Sequence, residues 1–368
     1  MPELSSFARA RLGVALGLAA LIVVGIVMLG RGGSQNDASA TGGCQATSAA
    51  SAPVTHGAIT EYPLPHAGSG LMSPAIDAQG NIWFGEMGGN RLGRLNPATR
   101  TITEWTPPRG AFGIMGIVAD AHGDIWFAEL SADYIGRFTP ATCQFRTYAT
   151  TSAHGKVGGP TGLALAPDGK LWFTLQSVDQ VGVLDPATGT IRTYPVPSPT
   201  AGTTTVPYGI TVDHAGMVWL TELLGNAVDR LDPATGKLQR FPLSAVNTDV
   251  NMITTAPNGT IWFTEMSSGV LGTIDPQTNA LTEYPVPTTF GPPAELYDVV
   301  VTAQGTVWLT SSGTNSLLRF DSGTHQWSAV AIPTKQSAPY GEVLGKDGAL
   351  WFTEGALAAN QVGMYRQP

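Results

Sequence analysis

Charged side chains are scarce in this chain, and its basic residues form no cluster. Lys, Arg, Asp and Glu make up 12% of the 368 residues, and the excess of acids gives a net charge of −8. A nucleic-acid-binding surface needs a basic stripe. The composition therefore argues against DNA or RNA as a partner.

Cysteine is equally scarce. The two cysteines, Cys44 and Cys143, are too few for a disulfide framework, and neither belongs to a C-x-x-C motif. No His-rich metal motif occurs either. The two thiols could pair in an oxidising compartment, and the sequence leaves this open.

Long hydrophobic runs are missing except near the N-terminus. Arg9 and Arg11 precede an uncharged run at residues 12–30. At about 1.5 Å per residue, a helix of this length just spans a hydrocarbon core of about 30 Å. A cleaved signal peptide has a shorter apolar core, although residues 38–40 resemble a cleavage site. We predict an uncleaved apolar helix as signal anchor at residues 1–31, with a cleaved signal peptide as the alternative. Either places the rest of the chain outside the cytoplasm, and the anchor is its only membrane contact.

The next stretch, residues 32–56, is rich in Gly, Ser, Ala and Thr and has few large apolar side chains. It buries too little surface to offset its ordering entropy, which predicts a flexible linker. Beyond it, glycines and prolines fall between apolar runs and mark turns. We expect residues 57–368 to form one domain.

One phrase of strand-forming residues occurs seven times in that domain. Its first copy is Ile82-Trp83-Phe84-Gly85-Glu86. The seven tryptophans are Trp83, Trp126, Trp172, Trp219, Trp262, Trp308 and Trp351. Their spacing of 43 to 47 residues is typical of propeller blades.

One period can be divided into strands. Residues 207–242 contain four short alternating runs separated by turn residues, including Asp232-Pro233-Ala234-Thr235. Four short antiparallel strands make one blade. The sequence therefore predicts an all-β, seven-bladed β-propeller of four-stranded antiparallel blades.

The phase of the repeat predicts how the ring closes. A fourth-strand sequence, residues 58–65, precedes the first blade, and the chain stops after a third strand at residues 361–365. We expect the N-terminal strand to pair into the last blade, which removes a free edge. We also expect a monomer.

Several of these phrases resemble the virginiamycin B lyase (streptogramin B lyase) family across residues 58–366. They are Glu61-Tyr62-Pro63-Leu64-Pro65, Asn90-Arg91-Leu92-Gly93-Arg94-Leu95, Asp168-Gly169-Lys170-Leu171-Trp172-Phe173-Thr174 and Pro207-Tyr208-Gly209-Ile210. The resemblance implies a ring-opening elimination that linearises a cyclic depsipeptide antibiotic, hence antibiotic resistance, with Mg²⁺ holding the developing negative charge. Such chemistry needs a base, an acid and a cation.

The resemblance also implies where the catalytic residues would stand. The residue 11 positions before each repeated tryptophan opens the innermost strand at the rim of the central channel. These residues are Met72, Met115, Thr161, Tyr208, Asn251, Tyr297 and Tyr340. The family's two histidines fall on Tyr297 and Tyr340, and its glutamate falls on Ala338. Tyrosine, with a pKa near 10, is a poor base at neutral pH, so the familiar lyase residues are replaced.

Acids that break the repeat are the alternative candidates. Glu295 and Asp298 flank Tyr297, and Glu342 follows Tyr340 by two. Strand alternation places Glu295 and Tyr297 on one face and Asp298 on the other. We predict Glu295, Tyr297 and Tyr340 as catalytic residues, against the alternative of a polar rim that only meets water.

The remaining rim residues predict a ligand site. Met72, Met115, Tyr208 and Asn251, beside the other tyrosines, give the channel mouth an apolar and aromatic lining. Such a lining suits an amphipathic ligand. Ordinary packing around a narrow channel is the alternative.

A glutamate three residues after the tryptophan recurs in five blades, as Glu86, Glu129, Glu222, Glu265 and Glu354. These carboxylates could encircle a cation, and Glu354 is the candidate ligand for Mg²⁺, the cofactor that the resemblance implies. The reading that we favour gives each glutamate a partner within its own blade, such as Arg94, Arg137 or Arg230.

The functional expectation is a virginiamycin B lyase-like exported propeller that binds a partner. The partner is a small molecule or peptide at the channel mouth, or an envelope protein. The alternative is a Mg²⁺-dependent lyase of the family's type with a different residue set, and a lactonase-like propeller is a third possibility.

Overall fold

The computed structural model describes residues 46–108, 113–150, 157–291 and 293–367. The predicted anchor and the first part of the predicted linker, together with Cys44, lie outside these residues. Cys143 is disulfide-bonded. Within the described ranges, no helix is long and apolar enough to cross a bilayer.

The chain forms a seven-bladed β-propeller of four-stranded antiparallel blades. Three strands come before the first blade: β1 (Ala46–Ala50), β2 (Val54–His56) and β3 (Ile59–Pro63). The first three blades are β4 (Leu71–Ile76), β5 (Ile82–Glu86), β6 (Arg91–Asn96) and β7 (Thr101–Trp105); β8 (Ile114–Ala119), β9 (Ile125–Glu129), β10 (Tyr134–Thr139) and β11 (Gln144–Ala149); and β12 (Pro160–Leu165), β13 (Leu171–Leu175), β14 (Gln180–Leu184) and β15 (Ile191–Pro195).

The fourth and fifth blades are β16 (Pro207–Val212), β17 (Val218–Glu222), β18 (Ala227–Leu231) and β19 (Leu238–Pro242); and β20 (Val250–Thr255), β21 (Ile261–Glu265), β22 (Val270–Ile274) and β23 (Leu281–Pro285). The last two are β24 (Leu296–Val301), β25 (Thr306–Ser311), β26 (Ser316–Asp321) and β27 (Gln326–Ala331); and β28 (Pro339–Leu344), β29 (Leu350–Glu354) and β30 (Gln361–Tyr365) with β3 outside them. A short 3-10 helix, Thr288–Phe290, precedes the sixth blade.

The N-terminal strands join two different blades. β3 pairs antiparallel with β30, and β2 extends the same sheet from its outer edge. β1 pairs with β7 in the first blade. The sequence predicted a flexible linker through residue 56, whereas its described end adds an outer strand to each of two sheets. In β1, small Ala, Ser and Thr side chains suffice because backbone hydrogen bonds provide the pairing at an exposed edge.

The repeated tryptophans pack between neighbouring blades. Trp83 and Trp219 are almost fully buried, and their ring N–H groups donate to Asp77 and Asp213, each at 2.8 Å. The Arg230 guanidinium lies 5.2 Å from the centre of the Trp219 ring, a cation–π arrangement. A turn aspartate thus fixes the tryptophan of the first and fourth blades, and an arginine packs over the ring in both.

A second pairing lies inside each sheet. In five blades the phenylalanine after the tryptophan faces a glycine on the third strand, as Phe263 faces Gly272. Where the second strand has leucine instead, a larger residue stands opposite: Leu220 faces Asp229, and Leu309 faces Leu318. The ring therefore occupies the space that a third-strand side chain would fill.

Candidate functional site

The seven innermost strands, β4, β8, β12, β16, β20, β24 and β28, surround the central channel, and β28 lies beside β4. The residue 11 positions before each tryptophan is the second residue of its inner strand. Six of these seven side chains are buried, and Tyr340 is half-buried. Counting from the tryptophans therefore located one complete ring of the channel wall.

A β-bulge interrupts every inner strand at this ring. In the sixth blade, Leu296 pairs with Ser311 and Val299 pairs with Leu309, so one extra residue is inserted on β24. Strand alternation predicted that Tyr297 and Asp298 point to opposite faces. Both line the cavity instead, because a bulge breaks the two-residue period.

The residue before each inner strand has a left-handed backbone. Three blades use glycine there, but the others use Val206, Asp249, Glu295 and Ala338, with φ between +46° and +52°. This conformation is costly for residues other than glycine, most of all for a β-branched valine. Such strain concentrates at functional sites. Glu295 and Ala338 therefore occupy equivalent, strained positions at the channel mouth.

Three tyrosines meet beside this strained ring. The hydroxyls of Tyr208 and Tyr297 are 2.8 Å apart, and the ring centres of Tyr297 and Tyr340 are 4.8 Å apart. Burial raises the pKa of Tyr208 to about 12 and that of Tyr297 well above its ordinary value. Burial, followed by the charge of Glu295, also raises the pKa of Tyr340. All three phenols stay protonated at neutral pH and are poor general bases.

The predicted catalytic residues lie near one another. Glu295 is half-buried, and one of its carboxylate oxygens accepts a hydrogen bond from the Ser312 hydroxyl at 3.0 Å. Its charge acts on Tyr340, which packs against Tyr297. This arrangement offers a carboxylate beside two phenols.

The channel contains a cavity of about 150 Å³. Of the predicted ligand-binding residues, Met72, Met115 and Tyr208 line it, and Asn251 does not. Asn251 is fully buried, and its amide N–H₂ lies 3.7 Å from the sulfur of Met266. Its side chain therefore packs behind the wall.

A threonine opposite the bulge links one blade to the next. In the fifth blade, Thr264 Oγ1 accepts a hydrogen bond from the N–H of Met252 at 3.1 Å and donates to the carbonyl of Tyr297 at 2.8 Å. Thr174, Thr221 and Thr310 connect their own blades to the next in the same way. A threonine two residues after the tryptophan recurs in the sequence, but its role in linking the blades was not predicted.

The five repeated glutamates do not encircle a cation. Across the described ranges, no three His, Cys, Asp or Glu side chains are grouped as metal ligands. The prediction that Arg94, Arg137 or Arg230 pairs with these glutamates was wrong. These three arginines lie over aromatic rings instead. The glutamates use other groups of their own blades. Glu86 pairs with Arg91 and Glu222 with Arg240, Glu129 accepts from Ser131 and Ala132, Glu265 from Ser268, and Glu354 from Gln361.

Glu354 does not fit the role of Mg²⁺ ligand. It is fully buried, and burial raises its pKa to about 8, so it is mostly protonated at neutral pH. Mg²⁺ requires near-octahedral oxygen coordination, which this carboxyl and its amide neighbour Gln361 do not supply. Glu354 is therefore a buried structural carboxyl of its own blade.

The chain matches a known protein family and several solved structures. Residues 44–319 match the virginiamycin B lyase family. A streptogramin B lyase structure is 28% identical, and the match covers 84% of this chain and 97% of that chain with a TM-score of 0.75. A catalytically inactive virginiamycin B lyase from Staphylococcus aureus with quinupristin is 24% identical over 84% of this chain and 99% of that chain, also with a TM-score of 0.75.

More distant structures share the fold alone. The extracellular domain of a putative hybrid two-component system from B. thetaiotaomicron is 18% identical over 85% of this chain and 43% of that chain, with a TM-score of 0.68. No curated protein sequence gives a significant match.

Proposed function

Because the chain belongs to the virginiamycin B lyase family, we propose that it is a lyase-like propeller that binds a ligand at its channel mouth without the family's elimination. The proposal rests on the identity of residues 297 and 340, which are tyrosines, and on the raised pKa values of their phenols. They stand where the resemblance implies histidines, and both have raised pKa values. A buried phenol can position a ligand by hydrogen bonding and ring contact but cannot remove an α-proton at neutral pH.

The surface around the mouth supports binding of an amphipathic molecule. Leu224, Val246 and Leu357 each expose more than half of their surface. They lie in loops at the end of the propeller where the inner strands begin. Exposed apolar side chains around a polar, aromatic opening are typical of interaction sites. The same face would accept a small molecule, a peptide or an envelope protein.

The full-length chain, incubated with quinupristin and Mg²⁺, is expected to leave the antibiotic unchanged. Liquid chromatography–mass spectrometry separates the outcomes, because elimination opens the ring without changing its mass, whereas hydrolysis adds one water. Equilibrium binding of amphipathic peptides and small molecules, followed by tyrosine absorbance, is expected to show saturable ligands whose affinity falls in Tyr297→Phe. Turnover, or the lack of any saturable ligand, would contradict the proposal.

The second candidate is a lyase with a different residue set, in which Glu295 is the base. The strained backbone of Glu295 and its position beside Tyr340 favour it. If turnover occurs, Glu295→Gln is expected to lower kcat by about a hundredfold or more, since a general base contributes about 10²–10⁴-fold. Glu283→Gln, on an outer strand, is the matched control. Equal rates in both variants would remove Glu295 from the mechanism.

We also propose that the helix predicted at residues 1–31 anchors the propeller outside the cytoplasm. An alkaline phosphatase domain fused after residue 368 is expected to be active in intact cells, because that enzyme needs export to form its disulfides. The fusion is expected to sediment with membranes. Activity in the medium would show a cleaved signal, and an inactive fusion would contradict export.

A further inference from the structure

Two carboxyl groups that the repeat does not explain lie in the channel wall. Asp298 occupies a position that is glycine in four other blades, and Glu342 one that is otherwise Pro, Ile, Leu or Val. Both side chains are more than nine-tenths buried. The two residues are in contact across neighbouring inner strands, since the backbone N–H of Glu342 donates to one side-chain oxygen of Asp298 at 3.0 Å.

These carboxyl groups are incompletely paired. The other oxygen of Asp298 accepts the N–H of Val299 at 2.9 Å. Neither oxygen of Glu342 has a hydrogen-bond partner of normal geometry, although the nearby backbone amide of Val300 slightly favours its charged form. No ion pair within the described part of the chain includes Asp298 or Glu342. A buried charge with no counter-ion is unfavourable, so the site favours a cation.

Burial shifts the pKa values of both carboxyl groups upward. Burial raises the pKa of Asp298 to about 6. Burial and the charge of Asp298 raise the pKa of Glu342 well above its ordinary range. At pH 7, Asp298 is therefore mostly ionised, and its carboxylate places a negative charge beside the cavity.

The lining of the cavity distinguishes an organic cation from a metal ion. Asp298 lines the same cavity as Tyr208, Tyr297, Met72 and Met115. A magnesium ion needs six oxygen ligands, and the part of the chain that the structure describes groups no three acidic or other ligating side chains. Aromatic faces and thioethers instead suit an alkylated ammonium ion. The volume of about 150 Å³ matches that of a cavity known to hold a ring of about six carbons.

We propose that the central channel binds a small organic ammonium ion, with Asp298 as its counter-charge and Tyr208 and Tyr297 contacting its alkyl groups. This inference rests on the proposed ligand-binding function and names the chemical class of the ligand. The backbone N–H of Glu342 holds the Asp298 carboxylate in place. Asp298 is the one acidic side chain among the described residues that line the cavity, so the site favours monocations.

The test compares choline with its neutral isostere, 3,3-dimethylbutan-1-ol, by isothermal titration calorimetry on the full-length protein at pH 7.5. Choline is expected to bind with millimolar or better affinity, at least about tenfold more tightly than the isostere. Asp298→Asn removes the charge and keeps one of the two oxygens that accept backbone N–H groups, so choline affinity is expected to fall at least about tenfold. Asp275→Asn, in an exposed turn, is the matched control and is expected to bind normally.

The pH dependence gives a second measurement that needs no variant. The titratable groups facing Asp298 are Glu342 on β28, Tyr208 on β16 and Tyr297 on its own strand. The two phenols stay neutral near pH 7, and burial raises the pKa of Glu342. Choline affinity is therefore expected to fall as pH drops below about 6 with the protonation of Asp298. The isostere is expected to show no such change.

Several outcomes of these measurements would overturn the inference. Equal binding of choline and the isostere, no binding of choline, or unchanged affinity in Asp298→Asn would exclude an ammonium site at Asp298. Displacement of choline by MgCl₂ at equal concentration would identify a metal site instead. If choline fails but another amphipathic ligand binds and responds to Tyr297→Phe, the proposed function stands and only this inference falls.

Discussion

A leucine placed at Gly272 is expected to destabilise the protein by about 3 kcal/mol or more, the upper range for an overpacked core. The Phe263 ring lies directly over Gly272, and a Cβ added there would come within 2.1 Å of the ring. Phe263 is fully buried, so the ring cannot swing into solvent. The two residues are direct partners across β21 and β22. The clash between the new side chain and the ring can therefore be relieved mainly by displacing the backbone.

The sixth blade shows how the clash can be removed. There Leu309 faces Leu318 at the equivalent positions, so two leucines fit where other blades combine a ring with no side chain. Phe263→Leu together with Gly272→Leu recreates that pair in the fifth blade. The double variant is expected to be more stable than Gly272→Leu alone, with a favourable coupling of about 2 kcal/mol.

Urea unfolding of the two single variants and the double variant measures this coupling. Thr282→Leu, at an exposed position of β23, adds the same side chain outside the core and is expected to change stability by less than about 0.5 kcal/mol. Additive effects of Phe263→Leu and Gly272→Leu would show that the ring and the glycine are not matched.

The sequence predicted the blade number and the channel ring because both follow from one repeated phrase. The tryptophans are placed identically in each sheet, so counting back from Trp308 reaches Tyr297 on the rim. Side-chain direction did not follow from counting. The bulge at each inner strand adds one residue, and the cavity consequently receives both Tyr297 and Asp298.

The partners of the repeated glutamates could not be predicted for a different reason. Glu86 pairs with an arginine at the start of the third strand, Arg91, whereas Glu222 pairs with Arg240 on the fourth strand. The same end of a blade can be reached from either strand, so no fixed spacing identifies the partner. Glu129 and Glu265 accept hydrogen bonds from nearby serines instead. The repeated position keeps a buried carboxyl group in five blades, but its hydrogen-bonding or ion-pair partner differs from blade to blade.

Those buried carboxyls predict that the protein loses stability as the pH rises from about 5 to 8. Burial raises the pKa of Glu129 and of Glu265 to about 7, and that of Glu354 to about 8. Each group is more basic folded than unfolded, so the folded state holds the protons more tightly. Their stabilisation is complete below the unfolded pKa near 4.5 and is lost as the pH rises through each folded pKa.

Urea unfolding at a series of pH values measures how the free energy of unfolding changes with pH, and single variants show which residues cause the change. Each fully responding carboxyl contributes at most about 1.4 kcal/mol per pH unit inside its window, and a total loss of several kcal/mol is expected. Glu265→Gln cannot ionise, so it is expected to flatten the curve between about pH 5 and 7. The control, Asp275→Asn, removes an exposed acid of the same blade whose pKa is lowered by backbone hydrogen bonds. Asp275 is ionised throughout this range, so its replacement should leave the slope unchanged. A flat stability curve, or a slope unaffected by Glu265→Gln, would mean that the interior hydrates these glutamates and lets them ionise without cost.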